Sequence, residues 1–153
     1  MKLICKQKKL RNAESLLRKM AKDLGYSIKF EYIDGNNGEF SLEDKTLIIS
    51  PKLKKTTFLF SLAHEIRHAL HVEQQLYTQY YLFSSGQSER FNAGLFIRAE
   101  RDCDKWASKF LEGVGIEYVK ESLYEMGDVS GGHDYYLRLR YLKSKYDIQR
   151  TEK

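Results

Sequence analysis

The chain has 153 residues, 42% of them hydrophobic and 31% charged, with a formal net charge of +5. That balance suits one folded domain over residues 1–153, not a disordered or low-complexity chain. No apolar run approaches the length of a membrane helix, MKLICKQKKL carries too short an apolar stretch for a secretory signal, and Cys5 and Cys103 are too few for a disulfide framework, so a cytoplasmic, reducing compartment and no membrane are expected.

Residues 7–24 read as a helix. Leu10, Ala13, Leu16, Leu17, Met20 and Leu24 recur at helical spacing, and Gly25 stands where such a helix closes. Residues 1–25 carry eight basic and two acidic side chains, which reads as a solvated helix face. No nucleic-acid motif accompanies them, so nucleic acid is not the expected partner, whereas an acidic protein is allowed. Residues 26–33 alternate and are rich in β-formers, placing Tyr26, Ile28, Phe30 and Tyr32 on one face of a strand. DGNNG at 34–38 signals a turn, Phe40 and Leu42 suit a second short strand, and Leu47, Ile48 and Ile49 a buried one that Pro51 stops. A small antiparallel sheet of two or three strands is the expectation.

Beyond Pro51 the pattern is helical. Thr56 or Thr57 can cap a helix running to about Phe83, with Leu59, Leu62, Ala63, Ile66, Ala69 and Leu70 as its apolar stripe. Ser84, Ser85 and Gly86 break it. A further helix spans residues 88–112 and buries Phe96, Ala99, Cys103, Trp106, Ala107, Phe110 and Leu111. Gly113 and Gly115 punctuate, and shorter helices follow over 116–126 and 133–146. One helix, a small sheet, then helices make an α+β domain.

Within the second helix, His64-Glu65-Ile66-Arg67-His68 is an HExxH. Positions i and i+4 share a helix face about one turn apart, so both imidazoles can hold one tetrahedral Zn²⁺, one per chain. Glu65 then lies beside the open coordination position, where it can take a proton from water. The apolar stripe lies opposite, so His64, Glu65 and His68 are expected to face a cleft.

A catalytic zinc needs a third protein ligand. Glu100 and Asp104 lie at i and i+4 on the following helix; Glu100 is the candidate ligand, and Asp104 can accept the free N–H of a ligating histidine. Asp102 is the rival, about 200° around the helix from Glu100, so only one of the two fits. His71 lies about 10.5 Å along the axis from His64, too far to share one metal readily, and reads as a residue beside the cleft. A peptidase also needs a donor for the developing oxyanion, for which His133, Tyr135 and Tyr136 are candidates. Tyr77, Tyr80 and Tyr81 read as packing or cleft-lining residues, and Cys103 as a small core residue.

The blocks LFSLAHEIRHALH at 59–71 and AERDCDKWASKFL at 99–111 together resemble the ImmA/IrrE-type zinc metallopeptidases. In outline the resemblance extends over about residues 7–112. It implies a zincin-like single domain: N-terminal helix, small sheet, HExxH helix and helical C-terminal half. It further implies that His64, His68 and Glu100 hold zinc, that Glu65 is the base, and that Asp104 supports the site. The implied activity is intracellular cleavage of a protein substrate, a helix-turn-helix transcriptional repressor. The sequence departs from the family pattern at Arg67, His71, Asp102 and Cys103, and after Leu111. A second class of function stays open: a binding protein on the same scaffold, acting as a regulator, toxin or inhibitor without proteolysis, favoured by Arg67 and the basic first helix.

Overall fold

A computed structural model describes residues 2–33, 36–84 and 93–118. Among these residues the chain forms α1 (Lys2–Asp23), β1 (Ser27–Phe30), β2 (Gly38–Ser41), β3 (Thr46–Ile49), α2 (Lys55–Glu73), α3 (Thr78–Ser84) and α4 (Ala93–Gly113). The class is α+β, as expected. The helices expected over 119–126 and 133–146 lie outside the described residues, and residues 116–118 are not helical.

The first helix closes where Gly25 predicts. Gly25 has φ +87°, its N–H reaches the Lys22 carbonyl, and the Tyr26 N–H reaches that of Ala21. A left-handed residue satisfying two orphan carbonyls in this pattern is a Schellman closure, and glycine adopts it without a Cβ penalty. The buried stripe of α1 is Ala13, Leu17 and Ala21, with Leu16 exposed. Leu16 stands one residue before Leu17, about 100° around the helix, which carries it off the core face.

The sheet is mixed rather than antiparallel. Its order is β1-β3-β2, with β1 and β3 parallel and β2 and β3 antiparallel. The chain leaves β1, passes to the far edge, and returns through a hairpin, so β3 enters between the first two strands. Leu47 and Ile49 of this central strand are fully buried. The alternation in 26–33 holds only at its start. Tyr26 is buried, but Phe30 and Tyr32 are exposed, because β1 is an edge strand that ends at Phe30.

α2 is the central element, packed against α1, β2, β3, α3 and α4. Leu59, Leu62, Ala63, Ile66 and Ala69 are buried as its stripe predicts. Neither threonine caps it. The helix starts after Lys54, which makes no side-chain cap, and Thr57 is buried.

The helix expected to continue to Phe83 breaks at 74–77. Gln75 and Tyr77 have φ of +57° and +54°; the Leu76 N–H bonds the His71 carbonyl and the Gln75 N–H that of Val72. This is again a Schellman pattern, now with glutamine in the left-handed position at a cost of about 1–2 kcal/mol. The return is the burial of Tyr81, which α3 folds back against α2 and which is 4% exposed. On α4, Ala99, Cys103, Ala107 and Leu111 are buried, while Phe96, Trp106 and Phe110 of the expected stripe are half-buried.

Candidate metal centre

The helical spacing of HExxH brings His64 and His68 together, with ring centroids 5.0 Å apart. α4 then supplies carboxylates. His64 Nε2 lies 3.0 Å from Glu100 Oε2, and His68 Nε2 lies 3.3 Å from Glu100 Oε1. Asp104 Oδ1 is 2.7 Å from His64 Nδ1, on the opposite side of that ring. Glu65 Oε1 is 3.9 Å from His68 Nε2. All five residues named for the site, His64, Glu65, His68, Glu100 and Asp104, therefore meet.

Among the described residues they do not line an open cleft. Glu65 is 5% exposed and His68 3%. β2 runs close over Glu65: a Cβ at Gly38 would lie 3.1 Å from Glu65 Cγ and 3.3 Å from its Oε2. A glycine lets the strand backbone approach the carboxylate this closely. Phe40 of the same strand packs on the His68 ring, with centroids 5.5 Å apart.

Electrostatics follow from this crowding. Burial pulls the His64 imidazole down, but the Glu65 charge and the bonds to Asp104 and Glu100 outweigh it and hold it well above its usual value. Burial pushes Glu100 up, yet His68 and His64 outweigh that and hold its carboxyl well below the usual range. Glu65 is raised, burial prevailing over the pull of His64 and His68. Burial, reinforced by Glu100, keeps the Tyr80 hydroxyl protonated far above the phenol range, so it donates to Glu100 Oε1 at 3.0 Å.

Neutral His64 has one N–H for two carboxylates, Asp104 at Nδ1 and Glu100 at Nε2, so one edge is left acceptor to acceptor unless a cation joins them. In the metal-free chain a proton on His64 serves. A divalent metal could take the same place. Ligands about 2.0–2.1 Å from a tetrahedral zinc stand about 3.3 Å from one another, and the donors here are 3.0 and 3.3 Å apart. Two imidazoles and one carboxylate also form a known catalytic zinc set.

His64, His68 and Cys103 form a second possible ligand set, their donor atoms lying within 4.8 Å of one another. Cys103 Sγ, however, lies 3.5 Å from His68 Nδ1, on the ring edge away from Glu100. Burial and the surrounding carboxylates push its thiol pKa well up. Glu100, by contrast, contacts the Nε2 atoms of both histidines.

The remaining expectations sort themselves on this geometry. Asp102 does not share Glu100's position: it bonds His71 Nε2 at 2.5 Å and Arg67 Nε at 2.8 Å. His71 is fully buried, so it faces no cleft, and burial pulls its pKa down to about 4 against the opposing pull of Asp102. His133, Tyr135 and Tyr136 lie outside the described residues. The sequence reading missed the role of Tyr81, whose hydroxyl sits 2.7 Å from His68 Nδ1 and 2.6 Å from His71 Nδ1. Its only signal was a cluster of tyrosines shortly after the motif.

No protein-family model matches the chain, and none of the curated proteins compared with it matches either. No described helix is long and apolar enough to cross a membrane.

Proposed function

We propose that the protein is a zincin-like zinc-dependent endopeptidase, with His64, His68 and Glu100 holding the metal and Glu65 as the acid–base group. The observation that carries this reading is the convergence of both Nε2 atoms on the Glu100 carboxylate at 3.0 and 3.3 Å, with Glu65 beside them. Zinc held by these residues would supply Lewis-acid polarisation of the scissile carbonyl and a lowered pKa for water.

The chain's own residues do the rest. Glu65 takes a proton from water as the water oxygen bonds to the carbonyl carbon. It then gives that proton to the amine nitrogen as the C–N bond breaks. A carboxyl whose pKa is raised by burial is a stronger base for taking that proton and retains it for delivery to the amine. Asp104 holds the Nδ1 edge of His64, and Tyr80 holds the Glu100 carboxylate. The proposed substrate is an intracellular protein, a helix-turn-helix repressor, in keeping with the two sequence blocks.

The reading as a binding protein on this scaffold rests on Arg67 beside the site and on the basic first helix. The Arg67 side chain is engaged by Asp102 and 16% exposed, which leaves it little to offer a partner. The test is incubation of the zinc-loaded protein with helix-turn-helix repressors encoded beside it. Wild type cleaves, and a chelator or Glu65→Gln stops it. An unchanged cellular effect in a fully zinc-loaded Glu65→Gln variant would instead establish the binding role.

A further inference from the structure

We infer that Asp102, His71 and Tyr81 form a directional hydrogen-bond chain that fixes the His68 imidazole with its proton on Nδ1 and its lone pair on Nε2, facing Glu100. They are positioning residues, acting on the metal point through His68. The inference rests on the metal site proposed above.

The direction follows from counting protons. An ionised carboxylate only accepts hydrogen bonds. Asp102 Oδ2 takes Arg67 Nε at 2.8 Å, which favours the ionised form, and it lies 2.5 Å from His71 Nε2. His71 Nε2 must therefore carry a proton. His71 is 0% exposed, where a neutral ring is favoured, so its Nδ1 presents a lone pair. The Tyr81 hydroxyl, 2.6 Å away, has one proton and donates it to that lone pair. Its oxygen is then an acceptor, 2.7 Å from His68 Nδ1, which must supply the next proton. What remains to His68 is a bare Nε2.

The competing arrangement would put the His68 proton on Nε2, toward Glu100 Oε1. That contact is longer, at 3.3 Å, and Glu100 already receives Tyr80 at 3.0 Å. Reversal would also turn a His71 lone pair onto the Asp102 carboxylate at 2.5 Å. The two histidines thus reach the same tautomer differently. Asp104 bonds His64 Nδ1 directly, whereas on the Nδ1 edge of His68 the neighbours are Tyr81 and the Cys103 thiol.

Long-range ¹H–¹⁵N correlation spectra of the metal-free chain, labelled at histidine and held in mildly alkaline buffer, read the tautomers directly. The expected wild-type pattern is His68 protonated on Nδ1 and His71 on Nε2. In Tyr81→Phe, His68 loses the fixed Nδ1–H form, and zinc affinity, measured against a chromogenic chelator, falls by roughly 10–100-fold. Asp102→Asn, at a side chain 28% exposed, gives the same reading if Tyr81→Phe does not fold. Circular dichroism at the wild-type level in the variant separates this change from a loss of packing. Wild-type His68 protonated on Nε2, or both variants keeping Nδ1–H with unchanged zinc affinity, would overturn the chain. A protein with the expected pattern that takes up no zinc would keep the chain and sink the metal site. Zinc uptake with the opposite pattern would do the reverse.

Discussion

One face of α2 carries Leu59, Leu62, Ala63, Ile66 and Ala69, which join Leu17, Leu47, Ile49 and Leu111 in a continuous apolar core. The other carries His64, Glu65, His68 and His71, nearly as well covered but by polar partners: Glu100, Asp102 and Asp104 of α4 and Tyr80 and Tyr81 of α3. The apolar face gains from burial without direction, whereas each bond on the polar face depends on one donor meeting one acceptor. Substitutions on the first should therefore cost stability, and on the second chemistry or metal affinity.

The largest effect is expected from Glu65→Gln. The amide is nearly isosteric, so zinc content and far-ultraviolet circular dichroism should stay at wild-type levels, while turnover on a cleaved repressor falls by roughly 10²–10⁴-fold or more. Leu62→Ala probes the opposite face. Leu62 is fully buried, and its truncation should lower unfolding free energy by about 2–5 kcal/mol in urea titration. Folded Leu62→Ala protein should still bind zinc; a loss of affinity matching the loss of stability would mean that the two faces are not separable.

Asp104→Ala should weaken zinc by roughly 10–100-fold with the fold retained, since it frees the Nδ1 edge of His64 without removing a donor to the metal. The smallest effect lies outside both faces. Glu14 of α1 pairs with Lys55 of α2 and Arg18, and these bonds outweigh burial to lower its carboxyl below its usual value. A depressed carboxyl contributes stability above its unfolded pKa and loses it as pH falls through the folded one. Glu14→Gln should cost about 0.2–1 kcal/mol at neutral pH, and the gap to wild type should close in acid.

The same contrast explains what could be read from sequence. The apolar stripe of α2 and that of α4 are periodic, so Leu62, Ile66, Ala99 and Cys103 were legible as core. HExxH is periodic too, and an i, i+4 pair on the next helix pointed to Glu100 and Asp104. Tyr81 obeys no period. It reaches the site because the chain turns back at Gln75 and Tyr77, two non-glycine residues in left-handed conformations that no turn motif announces. The parallel β1–β3 pairing was hidden for a similar reason: β1 and β2, adjacent in sequence, are not neighbours in the sheet, and the turn signal at 34–38 says nothing of where the returning strand inserts. Arg67, His71, Asp102 and Cys103, read as separate departures from the family pattern, prove to be one cluster behind His68.

Metal analysis of the purified chain and two single variants tests the central claim most directly. The expected result is one zinc per wild-type chain, strong loss in Glu100→Ala, and retention in Cys103→Ala. Zinc kept by Glu100→Ala and lost by Cys103→Ala would contradict it, moving the metal to the other edge of His68 and away from Glu65.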